Sequence, residues 1–554
     1  MQKNRKTHDV SGKQTHTIQT YNGWEIFNMA KAKKEKKQVP LEVGLWNACN
    51  KLRGSVTATD YVNVVLGLLF LRFAYDKFMT QREKLLDNED SAVFVDNPRF
   101  YTKDNVFFLE EKDRWDYIKD NSKSNKIFGI IDDAFRSMEK NNSSLKGALP
   151  IGFYTTLHIE PSKFSSLIDE INKINYSKEE SDDVIGRVYE YFLRRFCIAA
   201  KSEKGEFYTP GNIVSLMTRL IQPYSGSVYD PCCGSGGMFV QSADFIEKHK
   251  GNKKDITIYG QESNDKTYKL ARMNLAIRGL NCDLGDVDAD TFINDKHPGL
   301  KADFILANPP FNLSNWRTAT ELVNDPRWRG YEVPPVSNAN YAWILHMLAR
   351  LSYNGTAAFL LANGALGADS DEYKIRKQLI ENHKVEAIIV LPREMFYATD
   401  ISVTLWLVGN HKKPKTVKRN DKKVTLRNRE NEILFIDART LGDGGANDDG
   451  YVHLTDEDKE RITSTVFAWQ SPEWETTYHD VPEFCYSASM EEVRQKDWSL
   501  VPSHYIEFVD RDLQIDFHKE MSTIQEEMRL IIEEESESQS LLKEAFEGIG
   551  YGIE

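Results

Sequence analysis

Eighty-four acidic side chains against 71 basic ones give this 554-residue chain a net charge of −13. That excludes a protein that coats nucleic acid with a uniformly basic face, although a local basic channel or a basic partner stays open. With 40% hydrophobic and 28% charged residues it has the composition of a soluble globular protein, at a length for about three or four domains.

Residues 1–40 are polar and basic, with "MAKAKKEKKQ" from Met29, and read as a disordered lead-in. Met29 resembles a translational start, so residues 1–28 read either as a mis-called extension or as an artificial addition. No charged stub followed by an apolar core marks a signal peptide, so the expected compartment is the cytoplasm. Residues 41–173 have a helical pattern: Leu45, Ala48 and Leu52, then Val64, Leu68, Leu71 and Tyr75, recur at three- and four-residue spacing. The longest apolar run, Val62 to Tyr75, is interrupted by Asn63, Gly67 and Arg72. It is shorter than the roughly 20 residues of a membrane span and reads as a core helix.

From 184 to 410 short apolar strands alternate with amphipathic helices. "GSVYD", "DITIYG", "ADFILA", "GTAAFLLA", "VEAIIVLP" and "SVTLWLVG" are the expected strands of a doubly wound α/β sheet. The stretch "HKKPKTVKRNDKKVTLR" (411–427) is basic. A solvated hairpin is its plainer reading and a contact to the DNA backbone the other. It opens a segment, 411–510, that extends the catalytic domain. In 511–554, Phe517, Met521, Ile524, Met528 and Ile531 follow alternating four- and three-residue steps that resume at Leu542 and Ile549, the stripe of a coiled coil or helical bundle. The six cysteines include no C-x-x-C pair and no histidines at metal spacing, so neither zinc nor a disulfide framework is expected.

The chemistry concentrates at strand ends. "VYDPCCGSGGM" (228–238) joins a strand through Asp230 and Pro231 to a turn of Gly234, Ser235, Gly236 and Gly237. Glycines let the backbone approach a ligand, and a helix start turns free N–H groups toward it. The third glycine of a dinucleotide fingerprint would fall at 239, which is Phe239, so the loop suits a nucleoside without a pyrophosphate. Glu262 ends the next strand, where a doubly wound fold places a carboxylate for ribose hydroxyls, and Asp286 in "LGDVDAD" can accept from an adenine amino group. Each acid, alone, reads equally as an ordinary loop carboxylate.

"ADFILANPPF" (302–311) is a strand that ends in an amide, two prolines and a ring. The Asn308 side-chain oxygen and the Pro309 carbonyl can both accept from an exocyclic amino group, the prolines fix the backbone that carries them, and Phe311 offers a flat face. This describes a pocket for an amino-bearing base taken out of the helix. Just before the first strand, "KGEFYTP" (204–210) sets Phe207 and Tyr208 beside a rigid Thr209–Pro210 turn that can wall off one end of the nucleoside ligand; alone it reads as a packed turn.

By these residues the chain resembles the amino-methyltransferases that use S-adenosylmethionine, in which (N/D)-P-P-(F/Y) is the catalytic motif. More narrowly, it resembles the modification subunit of type I restriction–modification systems, an adenine-N6 DNA methyltransferase. "LWNACNKLRGSVTATDYVNVVLGLLFLRF" is similar to that family's helical amino-terminal domain, and "GEFYTP", "DPCCGSGGM", "NPPF", "NYAWILHMLARL" and "DWSLVPSHYIEF" to its later signatures. The resemblance implies that the donor is held by Glu206, Phe207, Tyr208, Thr209, Pro210 and Gly211, by Asp230, Pro231 and the glycine turn, by Glu262 and by Asp286. It assigns methylation to Asn308, Pro309, Pro310 and Phe311. It further implies double-stranded DNA with a flipped adenine as substrate, and two modification subunits on one specificity subunit that reads the sequence, with a restriction subunit able to add. Cys232 stands where the family more often has alanine.

Other readings remain in view. Release-factor glutamine methyltransferases and some ribosomal-RNA enzymes share N-P-P-(F/Y) but are much shorter. A stand-alone adenine methyltransferase of another phage-defence system fits the same motifs. A nicotinamide dehydrogenase conflicts with Phe239 and the tetrapeptide, and an inactive scaffold conflicts with the presence of every motif residue.

Overall fold

The computed structural model describes residues 58–173, 181–199, 208–397, 401–447, 450–509, 517–548 and 551, together with Val43 and Trp46. The expectations for the lead-in, and for Leu45, Ala48, Leu52, Glu206, Phe207 and Ile549, lie outside the described residues. The strands are β1 (Gly226–Asp230), β2 (Ile256–Gly260), β3 (Cys282–Asp283), β4 (Ala302–Ala307), β5 (Leu351–Ala362), β6 (Val385–Val390), β7 (Val403–Gly409), β8 (Lys415–Arg419), β9 (Lys422–Leu426), β10 (Glu432–Asp437) and β11 (Cys485–Ser489). Helices longer than eight residues are α1 (Ala58–Leu86), α2 (Ile127–Asn141), α3 (Pro161–Asn172), α4 (Ser181–Ala199), α5 (Gly211–Ile221), α6 (Gly237–Lys248), α7 (Asp265–Ile277), α8 (Asn340–Arg350), α9 (Ser370–Glu381), α10 (Asp456–Gln470) and α11 (Phe517–Gly548).

Nine strands form one sheet in the order β11-β10-β6-β7-β5-β4-β1-β2-β3. β7 lies antiparallel between β5 and β6, and β11 antiparallel to β10; the other pairings are parallel. Central strands read as unbroken apolar runs because both faces are covered: every residue of β6 and β7 is buried. Alternation then sorts their side chains. Leu306, Leu405 and Leu407 pack under α5, α6 and α10, whereas Ile305, Trp406 and Val408 pack under α8 and α9. The result is a three-layer α/β domain whose sheet runs beyond 410, through β10 and β11.

The helical region docks on α7, which divides its apolar residues between two cores. Tyr268, Ala271 and Leu275 face the sheet, and Leu270, Met273 and Ile277 face the helices. Polar ties reinforce the seam: Lys266 pairs with Asp60 at 2.7 Å, the Arg272 guanidinium donates to the Ser144 and Lys146 carbonyls, and the Tyr189 hydroxyl donates to the Leu270 carbonyl at 3.0 Å. The run Val62 to Tyr75 lies within α1, mostly buried. Gly67 is required there, since a Cβ would collide with the Tyr154 hydroxyl, which donates to the Val64 carbonyl at 2.8 Å.

The basic stretch after β7 is the β8–β9 hairpin, and six of its eight cations are engaged by the protein. Lys412 Nζ donates to the Val385 carbonyl at 2.9 Å and Arg419 to the Ile221 carbonyl at 2.9 Å. Lys415 donates to the Asn354 carbonyl, while Lys418, Lys422 and Arg427 pair with Asp421, Glu475 and Glu432. This favours the hairpin reading over a DNA-backbone contact. α11 is a single 32-residue helix with no buried residue. Its stripe is open to solvent, from Phe517 at 68% to Ile531 at 63%.

Candidate active site

Strand order reverses between β1 and β4, and in such sheets ligands sit outside the carboxyl ends at that reversal. The glycine turn leaves β1 there. Gly234 (φ +54°) and Gly236 (φ +81°) occupy the left-handed region, which a Cβ disfavours. Gly236 caps α6, and a Cβ at Gly237 would meet nothing within 4 Å, so the helix start faces open space. The turn is stitched to the end of β2: Cys233 N–H donates to the Gln261 carbonyl at 2.9 Å and Gln261 N–H to the Asp230 carbonyl at 3.1 Å. Glu262 accepts from the N–H groups of Gly234 (3.1 Å) and Asn264 (2.8 Å). Below the turn, the buried Ser235 offers its carbonyl to Asn274 Nδ2 at 2.8 Å, and the Pro231 carbonyl accepts from the Thr291 hydroxyl at 2.5 Å.

Two carboxyls thus stand at the crevice with raised pKa values. Burial pushes Asp230 up to about 7, against the Cys232 N–H that it accepts at 3.0 Å, and the Glu262 charge adds to the rise. Burial also raises Glu262, opposed by its backbone donors. Asp286, expected to accept from an adenine amino group, already has a partner within the chain. Its side chain is 81% exposed and held by Lys296 Nζ at 2.9 Å, and that hydrogen bond lowers its pKa. A lysine ten residues downstream claims the carboxylate that the sequence offered to a base.

Between Tyr208 and Gly211 the donor-side segment meets the tetrapeptide. Tyr208 is buried and stacks on Tyr397 at 6.1 Å, which abuts Tyr451 edge-on at 4.7 Å. Pro210 caps α5 and Gly211 begins it. Asn308 Nδ2 donates to Thr209 Oγ1 at 3.0 Å, whereas Asn308 Oδ1 is buried with no partner. An unmet buried acceptor costs about 1–3 kcal/mol unless a ligand supplies the donor. Pro309 is buried, Pro310 and Phe311 are half-buried, and Phe311 meets Phe396 edge-to-face at 6.2 Å.

The turn beyond Phe311 is clasped from α8. Asn312 (φ +54°) donates its N–H to Asn340 Oδ1 at 3.0 Å, and Asn340 Nδ2 donates back to Asn312 Oδ1 at 2.9 Å. Arg327, in the same long loop, donates to the Thr291 and Phe292 carbonyls at 2.9 and 2.6 Å and reaches His346 Nδ1 at 3.2 Å. Burial and then the Arg327 charge drive the His346 pKa well down, so the ring accepts from Arg327 at Nδ1 and donates from Nε2 to the Tyr229 hydroxyl at 2.9 Å. Sequence reasoning missed this scaffold of Asn312, Asn340, Phe396 and Arg327. Asn340 opens a recognised signature, but nothing local pairs it with Asn312.

These residues fit a nucleoside donor bearing a cationic end: carboxyls where β1 and β2 finish, an open glycine face, and a ring wall at Tyr208. Phe239 occupies the third-glycine position and is fully buried in the sheet core, so no dinucleotide-type turn forms.

Two family models match the chain, "N-6 DNA Methylase" over residues 180–512 and "HsdM N-terminal domain" over 41–173. The type I restriction enzyme HindI methylase subunit of Haemophilus influenzae is 38% identical, covering 76% of this chain and 92% of its own length. The MjaIX methylase subunit of Methanocaldococcus jannaschii is 33% identical, covering 92% and 91%. Among solved structures, the methyltransferase subunit of a type I restriction-modification system from Streptococcus thermophilus superposes with a TM-score of 0.68 at 22% identity, over 84% of this chain and 99% of that one. A modification subunit of a putative type I restriction enzyme from Vibrio vulnificus gives 0.56 at 19% identity, over 82% and 92%. The chain belongs to the N-6 DNA methylase family, as an adenine-N6 DNA methyltransferase among the methylase subunits of type I restriction enzymes.

Proposed function

We propose that S-adenosyl-L-methionine binds at the carboxyl ends of β1 and β2, and that the methyl group passes to N6 of an adenine swung out of duplex DNA. In this reading Tyr208 to Gly211, with Glu206 and Phe207, close over the donor. Asp230, Pro231 and the glycine turn cradle it, and Glu262 takes its ribose hydroxyls. Asp286 can join only by sharing its carboxylate with Lys296. The observation that carries the reading is Asn308 Oδ1, an orphaned acceptor one residue from the rigid Pro309–Pro310 pair.

An adenine amino lone pair is delocalised into the ring, so the nitrogen is a weak nucleophile. Asn308 Oδ1 and the Pro309 carbonyl accept its two N–H bonds, which favours a pyramidal nitrogen and stabilises the positive charge that develops there. Thr209 fixes the Asn308 amide from its other end, so orientation precedes substrate. Phe311 stacks on the base. A bound sulfonium donor supplies the activated methyl group, and no strong general base is needed.

The assembly in this reading is two copies with one specificity subunit, with a restriction subunit able to add, the exposed α11 stripe being the contact with the specificity subunit. Asn308→Ala should abolish methylation of a target duplex, a loss of about 2.7–4 kcal/mol of transition-state stabilisation, and leave donor binding by calorimetry unchanged. Glu262→Ala should do the reverse and weaken donor binding by about 1.5–3 kcal/mol. Loss of donor binding in the Asn308 variant would overturn the assignment.

A further inference from the structure

Helix α4 is anchored by one face and bares a carboxyl group beside it. Val188, Tyr189, Phe192 and Leu193 pack into the core of the helical region, at the four-residue spacing of a buried stripe, and the Tyr189 hydroxyl ties the helix to α7. Glu190 falls off that stripe. Its carboxyl reaches the start of α5, where Oε1 stands 3.0 Å from the place a Cβ on Gly211 would take. A cavity of about 20 Å³ lies there, lined by Glu190, by Tyr208, Thr209 and Gly211 of the donor-side segment, and by Ser235 and Gly237 of the glycine turn. Thr209 is also the residue that holds Asn308. One cavity thus joins the donor-side segment, the glycine turn and the Glu190 carboxyl.

That carboxyl is half-buried, and among the described residues it makes no hydrogen bond and no ion pair. Burial raises its pKa, against the pull of the Arg278 charge. Arg278 lines the same cavity, but its guanidinium donates to the Gly186 and Asn274 carbonyls. A carboxylate that merely balanced the dipole of α5 would accept from the first N–H groups of that helix; Glu190 does not. The space beside it has room for one water-sized group. The group that suits an unpaired carboxylate in such a space is a small cation with N–H bonds to donate.

We propose that Glu190 is the counter-ion of the donor's α-ammonium group. Resting on the donor reading above, the ammonium of S-adenosyl-L-methionine enters this cavity and donates to Glu190. The ammonium matches the space in size, whereas the sulfonium of the same molecule has no N–H bond to offer. The helical region then takes part in holding the donor, because the core that fixes α4 also fixes Glu190.

The test is calorimetry on the full chain with S-adenosyl-L-methionine, S-adenosylhomocysteine, the analogue of S-adenosylhomocysteine without its α-amino group, and 5′-methylthioadenosine, which lacks the amino-acid end. The parent should bind S-adenosylhomocysteine about ten- to a hundredfold more tightly than the desamino analogue. Glu190→Gln, of the same shape but uncharged, should lose that factor on S-adenosyl-L-methionine and S-adenosylhomocysteine alike, and nothing on the other two. No preference in the parent, or equal affinity of variant and parent for S-adenosylhomocysteine, would overturn the proposal. So would a loss confined to S-adenosyl-L-methionine, which would assign Glu190 to the sulfonium, and a loss that extends to 5′-methylthioadenosine, which would make its role structural. A parent that binds none of these ligands would instead sink the donor reading beneath it.

Discussion

At the scale of single residues, Asp230 shows how the site stores an electrostatic cost. Its folded carboxyl titrates at about 7, against an ordinary value of 3.8. The unfolded chain therefore releases this proton first, and stability falls as pH rises from about 4 through 7. A shift of that size corresponds to at most about 4 kcal/mol. Asp230→Asn removes the charge and keeps an oxygen for the Cys232 N–H. Melting of the donor-free protein should show the variant more stable than the parent at pH 8, with the gap closing toward pH 4; a constant gap would refute the buried-charge account. Asn308 was legible because its tetrapeptide is specific. The Asn312–Asn340 clasp was not, since the two residues stand 28 apart in the chain, and the Lys296 partner of Asp286 is set by loop geometry that the sequence does not show.

At the scale of elements, β6 carries a buried charge into the middle of the sheet. Glu386 accepts from Arg429 Nε and Gln470 Nε2 at 2.9 and 2.8 Å. Burial would raise its pKa, but Arg429, Lys415 and Lys412 hold it at about 2, while burial pushes Lys412 down to about 8. Glu386→Ala strands those cations and should destabilise the domain by about 3–5 kcal/mol. Urea unfolding would measure this, and a loss below about 1 kcal/mol would mean that water enters the cluster. The buried strands β1, β2 and β4 to β7 were readable as apolar runs. β3, with two residues, offers no periodicity, and β11, "CYSAS", is an edge strand without an apolar face. β10, "EILFID", is as apolar as those strands but stands apart from them, after the basic β8–β9 hairpin.

At the scale of the whole molecule, α11 projects an apolar stripe that none of the described residues covers. A solitary helix with such a seam is stable only against a partner. Truncation after Asp510 should leave donor binding intact and abolish co-purification with a specificity subunit, together with site-specific methylation; co-purification at parental yield would give the stripe another purpose. The tail's period was visible in the sequence. The docking of the helical region through α7 was not, because one helix serving two cores shows no single clean face.

The engaged cations of the β8–β9 hairpin also set a speed limit. In a chain at −13, six of the stretch's eight cations are held by the protein's own carbonyls and carboxylates, leaving Lys413 and Lys423, so away from the basic residues 1–40 the lone subunit offers a passing duplex mainly like charge. Adding salt shortens the Debye length from about 30 Å at 0.01 M to 8 Å at 0.15 M, which should quicken the encounter of the isolated subunit with random DNA, the reverse of ordinary polyelectrolyte attraction. Stopped-flow association rates that fell with salt would expose a basic face elsewhere. A rising rate means that stray methylation is throttled until a partner contributes the missing positive charge.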